Sequence, residues 1–179
     1  MSARLREAVE AGDVDAVLEL CSPNVVLRSP ISFNARFEGT DSVRELLRQV
    51  FAGVIEDIRY FEDVGNEWVR ALFYSARVRG ENIEEATMLR FDEQRRISEF
   101  TLYIRPLPGL TALTTRLGVR LARRQSFARA LLMAALTRPL AFMTRHGERI
   151  GVRLTRVGGG RPYRRSACPW RRSQRSRSR

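Results

Sequence analysis

The stretch AGDVDAVLELCSPNVVLRSPISFNARFEGTDSVRELLRQVF, residues 11–51, decides the fold. Asp13 can accept hydrogen bonds from the free amides of a following turn, which predicts a short helix over residues 14–20. Residues 24–28 carry a β-branched apolar run of strand length, and Ser29-Pro30 ends it. This order predicts a helix that leads directly into a strand.

A second helix follows a loop and is predicted to begin at Thr40 or Asp41. Its apolar residues recur at helical spacing and form one face: Val43, Leu46, Leu47, Val50 and Val54. Because such a face is unstable in water, we expect it to pack against a sheet or another helix.

The motifs Ala11-Gly12-Asp13, the Pro-flanked strand and Glu38-Gly39-Thr40, in this order, resemble the nuclear transport factor 2-like superfamily over residues 3–106. That superfamily includes SnoaL-type polyketide cyclases and ketosteroid isomerases. The resemblance implies a cone-shaped α+β barrel, in which a strongly curved antiparallel sheet surrounds the helices and the open mouth holds a pocket.

The rest of this region fits an α+β domain. Residues 2–11 have helical spacing, and four strands with intervening turns are predicted near residues 58–64, 68–79, 84–91 and 97–105. The second of these strands is apolar on both sides, as expected for a strand between helices and a cavity. Helices followed by turn-linked strands predict an antiparallel sheet curled around the helices.

Charge divides the chain. Residues 1–109 hold 14 Arg and 19 acidic residues, a net charge of −5, whereas residues 110–179 hold 18 Arg and one acidic residue, a net charge of +17; the sum is the +12 of the whole chain. We therefore predict a cone domain over residues 1–106, a basic amphipathic helical extension over 107–157, and a disordered Arg/Ser-rich tail over 158–179.

The extension combines apolar stripes with arginine. Leu110, Leu113, Leu117 and Leu121 form a stripe that Arg116, Arg120 and Arg123 flank. In residues 126–143, Arg129, Arg138 and Pro139 interrupt an apolar segment, which we interpret as too short to span a bilayer. We expect the extension to pack on the acidic domain or in a homodimer. Contact with an anionic membrane is the secondary alternative, and no specific nucleic-acid binding is expected.

Composition excludes several kinds of site. All 32 cationic side chains are Arg, a usage typical of G+C-rich coding, so a bacterial cytoplasmic protein is the default expectation, and the acidic N-terminal residues argue against a signal peptide. Cys21 and Cys168 have no metal or redox spacing, and His146 is the only histidine. Residues 158–160 are three glycines without the lysine of a phosphate loop. We predict no metal site and no cofactor.

The resemblance can be followed residue by residue. It places Leu5, Ser29 and Thr87 where ketosteroid isomerases carry a tyrosine, a general-base aspartate and a protonated aspartate. It places Arg105 where the related epoxide hydrolases carry an aspartate that activates water. The sequence therefore predicts neither activity.

Two function classes remain. The first is an apolar small-molecule pocket, with Tyr74, Glu85 and Tyr103 as weak catalytic candidates, because burial would raise the pKa of Glu85 into a useful range. The predicted pocket residues are Leu5, Val9, Ser29, Phe33, Leu72, Tyr74, Thr87 and Leu89. The second class is a non-catalytic interaction module that docks on a partner or an anionic membrane through the basic extension.

Overall fold

The computed structural model describes residues 2–155, excluding the side chains of Arg149 and Val152. The predicted disordered tail, residues 158–179, and Cys168 lie outside the described residues. The chain divides into two compact units, Met1–Arg145 and His146–Arg179. The elements are α1 (Ser2–Ala11), α2 (Val14–Glu19), β1 (Cys21–Arg28), β2 (Arg36–Glu38), α3 (Gly39–Phe51), β3 (Glu56–Gly65), β4 (Val69–Val78), β5 (Glu81–Phe91), β6 (Ile97–Arg105), α4 (Leu107–Gln125) and α5 (Phe127–Leu154).

The predicted α+β architecture is confirmed, with one correction to the sheet. The six strands have the order β2-β1-β6-β5-β4-β3, so the sheet is not closed, and β1 runs parallel to β6. The sheet is therefore mixed, whereas the sequence predicted an antiparallel one. Hairpins force antiparallel pairing only on strands joined by a tight turn, and no such turn joins β1 to β6. The short strand β2 was missed because it is too brief to show a period.

Helix and strand starts show what local sequence decides. Asp13 caps α2 as predicted, since its Oδ1 accepts a hydrogen bond from the Ala16 amide at 3.0 Å. Helix α3 instead begins at Gly39, and its N-cap residue Glu38 makes no side-chain cap bond, so the predicted cap at Thr40 or Asp41 was wrong. Strand β1 includes Pro23, which lies where its pairing with β6 is interrupted and a proline costs no ladder bond.

Helices α1, α2 and α3 pack on one face of the sheet. Leu5, Val17 and Val43 come from the helices and are almost completely buried against Val25 of β1 and Leu89 of β5. The predicted apolar face of α3 is confirmed in part. Val43 and Leu46 are buried on the helix, but Val54 follows the end of the helix and is buried in a second cluster.

The two C-terminal helices differ in how they pack. Leu113 of α4 is buried, and Arg120 donates hydrogen bonds to the Gln49 and Ala52 carbonyl oxygens at 3.2 and 2.9 Å, at the end of α3. Arg124 pairs with Glu45 of α3. Helix α5 continues through Pro139, so the expectation that this proline and the nearby arginines leave only a short segment is corrected.

Candidate functional site

A cavity of about 290 Å³ lies between the sheet and the helices. Helices α1, α2, α3 and α4, strands β1 to β6 and the loop after β1 all contribute to its wall. The residues that line it are Leu5, Val9, Val17, Leu27, Ser29, Pro30, Ile31, Ala35, Phe37, Leu46, Leu47, Val50, Phe51, Ile55, Ile58, Tyr60, Leu72, Tyr74, Glu85, Thr87, Phe100, Leu102, Ile104, Leu113, Thr114, Leu117, Gly118, Leu121 and Met133. Nearly all are apolar, so the cavity favours an apolar occupant.

The polar groups of the cavity converge on one place in the sheet. Glu85 lies directly across from Tyr74 in the register of β5 and β4, and Thr87 is the next residue on the same face of β5. The Thr87 hydroxyl donates to Glu85 Oε1 at 2.8 Å, and Tyr74 also hydrogen-bonds to the Glu85 carboxyl group. The ring of Tyr60 lies 5.2 Å from that of Tyr74. A carboxyl group, two phenols and a hydroxyl therefore share one wall.

Burial changes the acidity of these groups. Loss of solvation raises the pKa of Glu85 above its ordinary value, and the hydrogen bonds from Tyr74 and Thr87 offset only part of that rise. The pKa of Tyr74 is also raised well above the ordinary range, by burial first and by the nearby Glu85 second. Burial likewise raises the pKa of Tyr60. The phenols are therefore hydrogen-bond donors at neutral pH, and Glu85 is the group whose proton is most easily exchanged.

This arrangement can do acid–base chemistry on a molecule held in the cavity. A carboxyl group in an apolar site with a raised pKa can keep its proton to higher pH and deliver it to a ligand oxygen, or it can accept a proton as the carboxylate. The neighbouring Tyr74 hydroxyl stabilises the carboxylate once the proton has left.

Most of the predicted pocket residues lie at the cavity. Leu5, Val9, Ser29, Leu72, Tyr74 and Thr87 all line it, and so does the catalytic candidate Glu85. Three predicted site residues lie elsewhere. Phe33 is fully exposed in the loop between β1 and β2, Leu89 is buried in the core beside Phe100, and Tyr103 is exposed on the other face of the sheet.

Strand register explains the position of Tyr103. Side chains alternate between the two faces of a strand, and in β6 it is Phe100, Leu102 and Ile104 that reach the cavity. Tyr103 pairs with Ala86 on the outer face. The sequence assigned it to the inner face because β6 carries apolar residues at both parities.

The positions compared with the isomerases and hydrolases fall into two groups. Leu5, Ser29 and Thr87 line the cavity. Arg105 is exposed at the end of β6, where its Nε donates to Glu84 Oε2 at 2.8 Å. The cavity has a carboxyl group at a different position, because Glu85 lines it two residues before Thr87 on the same face of β5.

Sequence reasoning missed the contribution of the C-terminal extension to the cavity. Leu113, Leu117 and Leu121 of α4 line it, and so does Met133 of α5. The leucine stripe was visible in the sequence as a buried helix face. Nothing in its spacing distinguishes a face that fills a core from one that borders a cavity.

The other reactive side chains that the structure describes do not form a metal site or an activated nucleophile. Among residues 2–155, no group of three His, Cys, Asp or Glu side chains is placed to hold a metal ion. Cys21 is buried, its thiol donates to the Val17 carbonyl oxygen at 3.3 Å, and burial raises its pKa to about 12. A thiol with so high a pKa is a poor nucleophile.

Comparison with known proteins supports the fold. A steroid delta-isomerase from Pseudomonas aeruginosa is 30% identical, with a TM-score of 0.62 over 69% of this chain and 90% of that one. An uncharacterised protein with a cystatin-like fold from Silicibacter pomeroyi is 25% identical, with a TM-score of 0.63 over 73% of this chain and 89% of that one. The epoxide hydrolase/cyclase-like enzyme SalBIII is 15% identical over 60% of this chain and 88% of that one, and its TM-score of 0.50 shows a shared fold.

No curated protein matches the chain. Residues 3–100, more than half of the sequence, match the profile of the SnoaL-like domain. The resemblance to the nuclear transport factor 2-like superfamily is thereby confirmed, and the chain belongs to the SnoaL-like domain family.

Proposed function

We propose that this protein binds an apolar small molecule in the cavity and that Glu85 exchanges a proton with one polar group of that molecule. The observation that carries the proposal is a buried carboxyl group in an otherwise apolar wall. A carboxyl group at such a position costs stability because desolvation penalises its charged form, and groups kept at that cost cluster at functional sites.

The substrate class follows from the shape and polarity of the wall. An apolar body with a single hydroxyl or carbonyl group matches a lining that is largely apolar and has a carboxyl group, that of Glu85, beside the hydroxyls of Tyr74 and Thr87. The reaction class is a proton transfer, such as an isomerisation or a ring closure. The steroid delta-isomerase relative supports this class. We propose a different substrate, because the resemblance places Leu5, Ser29 and Thr87 where ketosteroid isomerases carry their catalytic groups.

Binding is tested by closing the cavity from one side. Leu117→Trp adds bulk to the α4 wall, and Leu140→Trp makes the same change on the exposed side of α5. The probes are a steroid ketone, a polycyclic aromatic ketone and a long-chain alcohol, measured by equilibrium dialysis. We expect at least one probe to bind the parent chain and Leu140→Trp equally, and to bind Leu117→Trp at least about tenfold more weakly.

Glu85→Gln then separates binding from chemistry. This variant keeps the size of the side chain and one acceptor oxygen for Tyr74 and Thr87 but cannot exchange a proton, so we expect it to retain probe binding while losing any turnover. If no probe binds the parent chain, or if Leu117→Trp binds like the parent chain, the cavity is not a ligand site.

A further inference from the structure

Helix α5 is turned with its large apolar side chains outward. Between Phe127 and Met143 the buried positions are small, namely Ala130, Ala134 and Thr137. The bulky side chains on the other sides of the helix are 49% to 68% exposed: Phe127, Leu131, Leu132, Leu136, Leu140, Phe142 and Met143. A helix of a water-soluble core has the opposite arrangement, because burying large apolar side chains is what stabilises it.

The small side chains of α5 allow close packing against α4. The Thr115 hydroxyl donates to the Thr137 carbonyl oxygen at 3.3 Å, and the hydroxyls of Thr111 and Thr144 hydrogen-bond at 2.8 Å. At Gly118 a Cβ atom would collide with the Met133 side chain. Small residues and hydroxyl bonds between helices, with large apolar residues outside, are typical of helix pairs that contact lipid.

Charge around this apolar face indicates the kind of surface that it meets. Arg129 and Arg138 lie about half a turn apart, at roughly 100° per residue, and so flank the face on opposite sides. Residues 107–155 hold nine Arg and one acidic residue, 9 − 1 = +8, and residues 156–179 add nine Arg and no acidic residue. An apolar face bordered by arginine matches the boundary between acyl chains and anionic headgroups.

We propose that the outward face of α5, defined by Leu131, Leu132, Leu136 and Met143 between the two flanking arginines, lies in the interface of an anionic phospholipid membrane. Residues 127–148 have a mean hydropathy of 1.2, and by length and composition alone this segment is long and apolar enough to cross a bilayer. The helix instead lies along the surface, because hydrogen bonds to α4 at Thr137 and Thr144 and the ion pair between Arg145 and Glu81 of β5, at 2.6 Å, hold this part of it against the domain.

A second copy of the chain suits this face less well. Pairing two α5 faces would bring Arg129 and Arg138 of one copy close to those of the other, and like charges beside an apolar contact oppose association. A headgroup phosphate neutralises these arginines while the acyl chains accept the leucines. The proposal does not depend on a ligand in the cavity.

The test is co-sedimentation of the full chain with phosphatidylcholine vesicles, with and without about 30% phosphatidylglycerol. We expect binding to the anionic vesicles that persists at about 500 mM NaCl, because burial of leucine is not screened by salt. Leu132→Ser combined with Leu136→Ser should weaken that binding at least about tenfold. Arg129→Ser combined with Arg138→Ser should reduce the preference for anionic over neutral vesicles.

The matched control removes two exposed apolar side chains outside α5, by Phe33→Ser combined with Val64→Ser, and should bind as the parent chain does. Circular dichroism confirms that each variant is folded. Three results would overturn the proposal: no vesicle binding by the parent chain, unchanged binding by the leucine variant, or a concentration-dependent dimer in light scattering that the leucine variant abolishes without any vesicle binding.

Discussion

Two adjacent residues of β5, Glu84 and Glu85, show how differently the two faces of the sheet treat the same side chain. Glu84 lies on the outer face, where Arg105 pairs with it and both are open to solvent. Glu85 lies on the inner face, where it is 4% exposed and, among the described residues, receives its hydrogen bonds from the neutral Tyr74 and Thr87. On the outer face an arginine neutralises the charge of Glu84, whereas on the inner face burial disfavours the charged form of Glu85.

The same contrast extends along both faces. On the outer face, Arg28 and Arg90 lie 3.0 and 3.8 Å from the Glu99 carboxyl oxygens. On the inner face the neighbours of Glu85 along β5 are Ile83, Thr87 and Leu89, all buried. Burial of side chains on the inner face therefore contributes most of the stability of the fold. The same face carries Glu85, the group suited to proton transfer.

The largest expected effect comes from emptying the inner face. Leu89→Ala removes a completely buried side chain that does not line the cavity, so water does not fill the space that the side chain leaves. We expect a loss of about 2 to 5 kcal/mol in the free energy of unfolding, measured by urea denaturation. Met88→Ala on the outer face is the control and should cost clearly less. Equal losses would mean that both faces are buried alike, for example in an oligomer.

Glu85 should make stability depend on pH in an unusual direction. Its pKa is raised in the folded protein above the unfolded value, so the native state holds the proton more tightly. Its contribution is therefore most favourable below the unfolded pKa of about 4.5 and falls as the pH rises through the higher folded pKa. We expect Glu85→Gln to remove this fall, seen as a flatter curve of unfolding free energy against pH, whereas Glu84→Gln should keep it. A parallel shift of the whole curve in Glu85→Gln would contradict this assignment.

The sequence predicted the elements of this fold better than their arrangement. The caps, periods and breakers around Asp13, Pro30 and residues 97–105 are local, and the helices and strands that they predict are present. The parallel pairing of β1 with β6 joins residues far apart in the chain, and no local pattern encodes it. For the same reason the short β2 becomes a strand only because β1 lies beside it.

The cavity was predicted where alternation in a strand is clear. Leu72, Tyr74, Glu85 and Thr87 share a parity on two strands whose register follows from one tight turn, and all four line it. Tyr103 was misplaced because apolar residues occupy both faces of β6. The α4 and α5 wall could not be predicted from sequence, since a helix stripe records that a face is covered and not what covers it.

The smallest expected effects concern the carboxylates of the outer face, and they differ from each other in a way that burial predicts. Burial alone would raise the pKa of Glu99. The hydrogen bonds from Arg28 and Thr101 and the charges of Arg28 and Arg90 lower it by more than burial raises it, so the net change is downward. Its contribution is present above the unfolded pKa of about 4.5 and is lost as the pH falls through the lower folded value, opposite in sign to that of Glu85.

We expect Glu99→Gln to cost about 0.5 to 1 kcal/mol at neutral pH, because the Glu99 side chain is only 19% exposed. Glu84→Gln should cost less than about 0.5 kcal/mol, since Arg105 is 79% exposed and water replaces the lost partner. Urea denaturation at neutral pH and again near pH 4 measures both, and the cost of Glu99→Gln should shrink in acid. If Glu84→Gln proved as costly as Glu99→Gln, the Glu84–Arg105 pair would have to be shielded from water, and the outer face would be covered in solution.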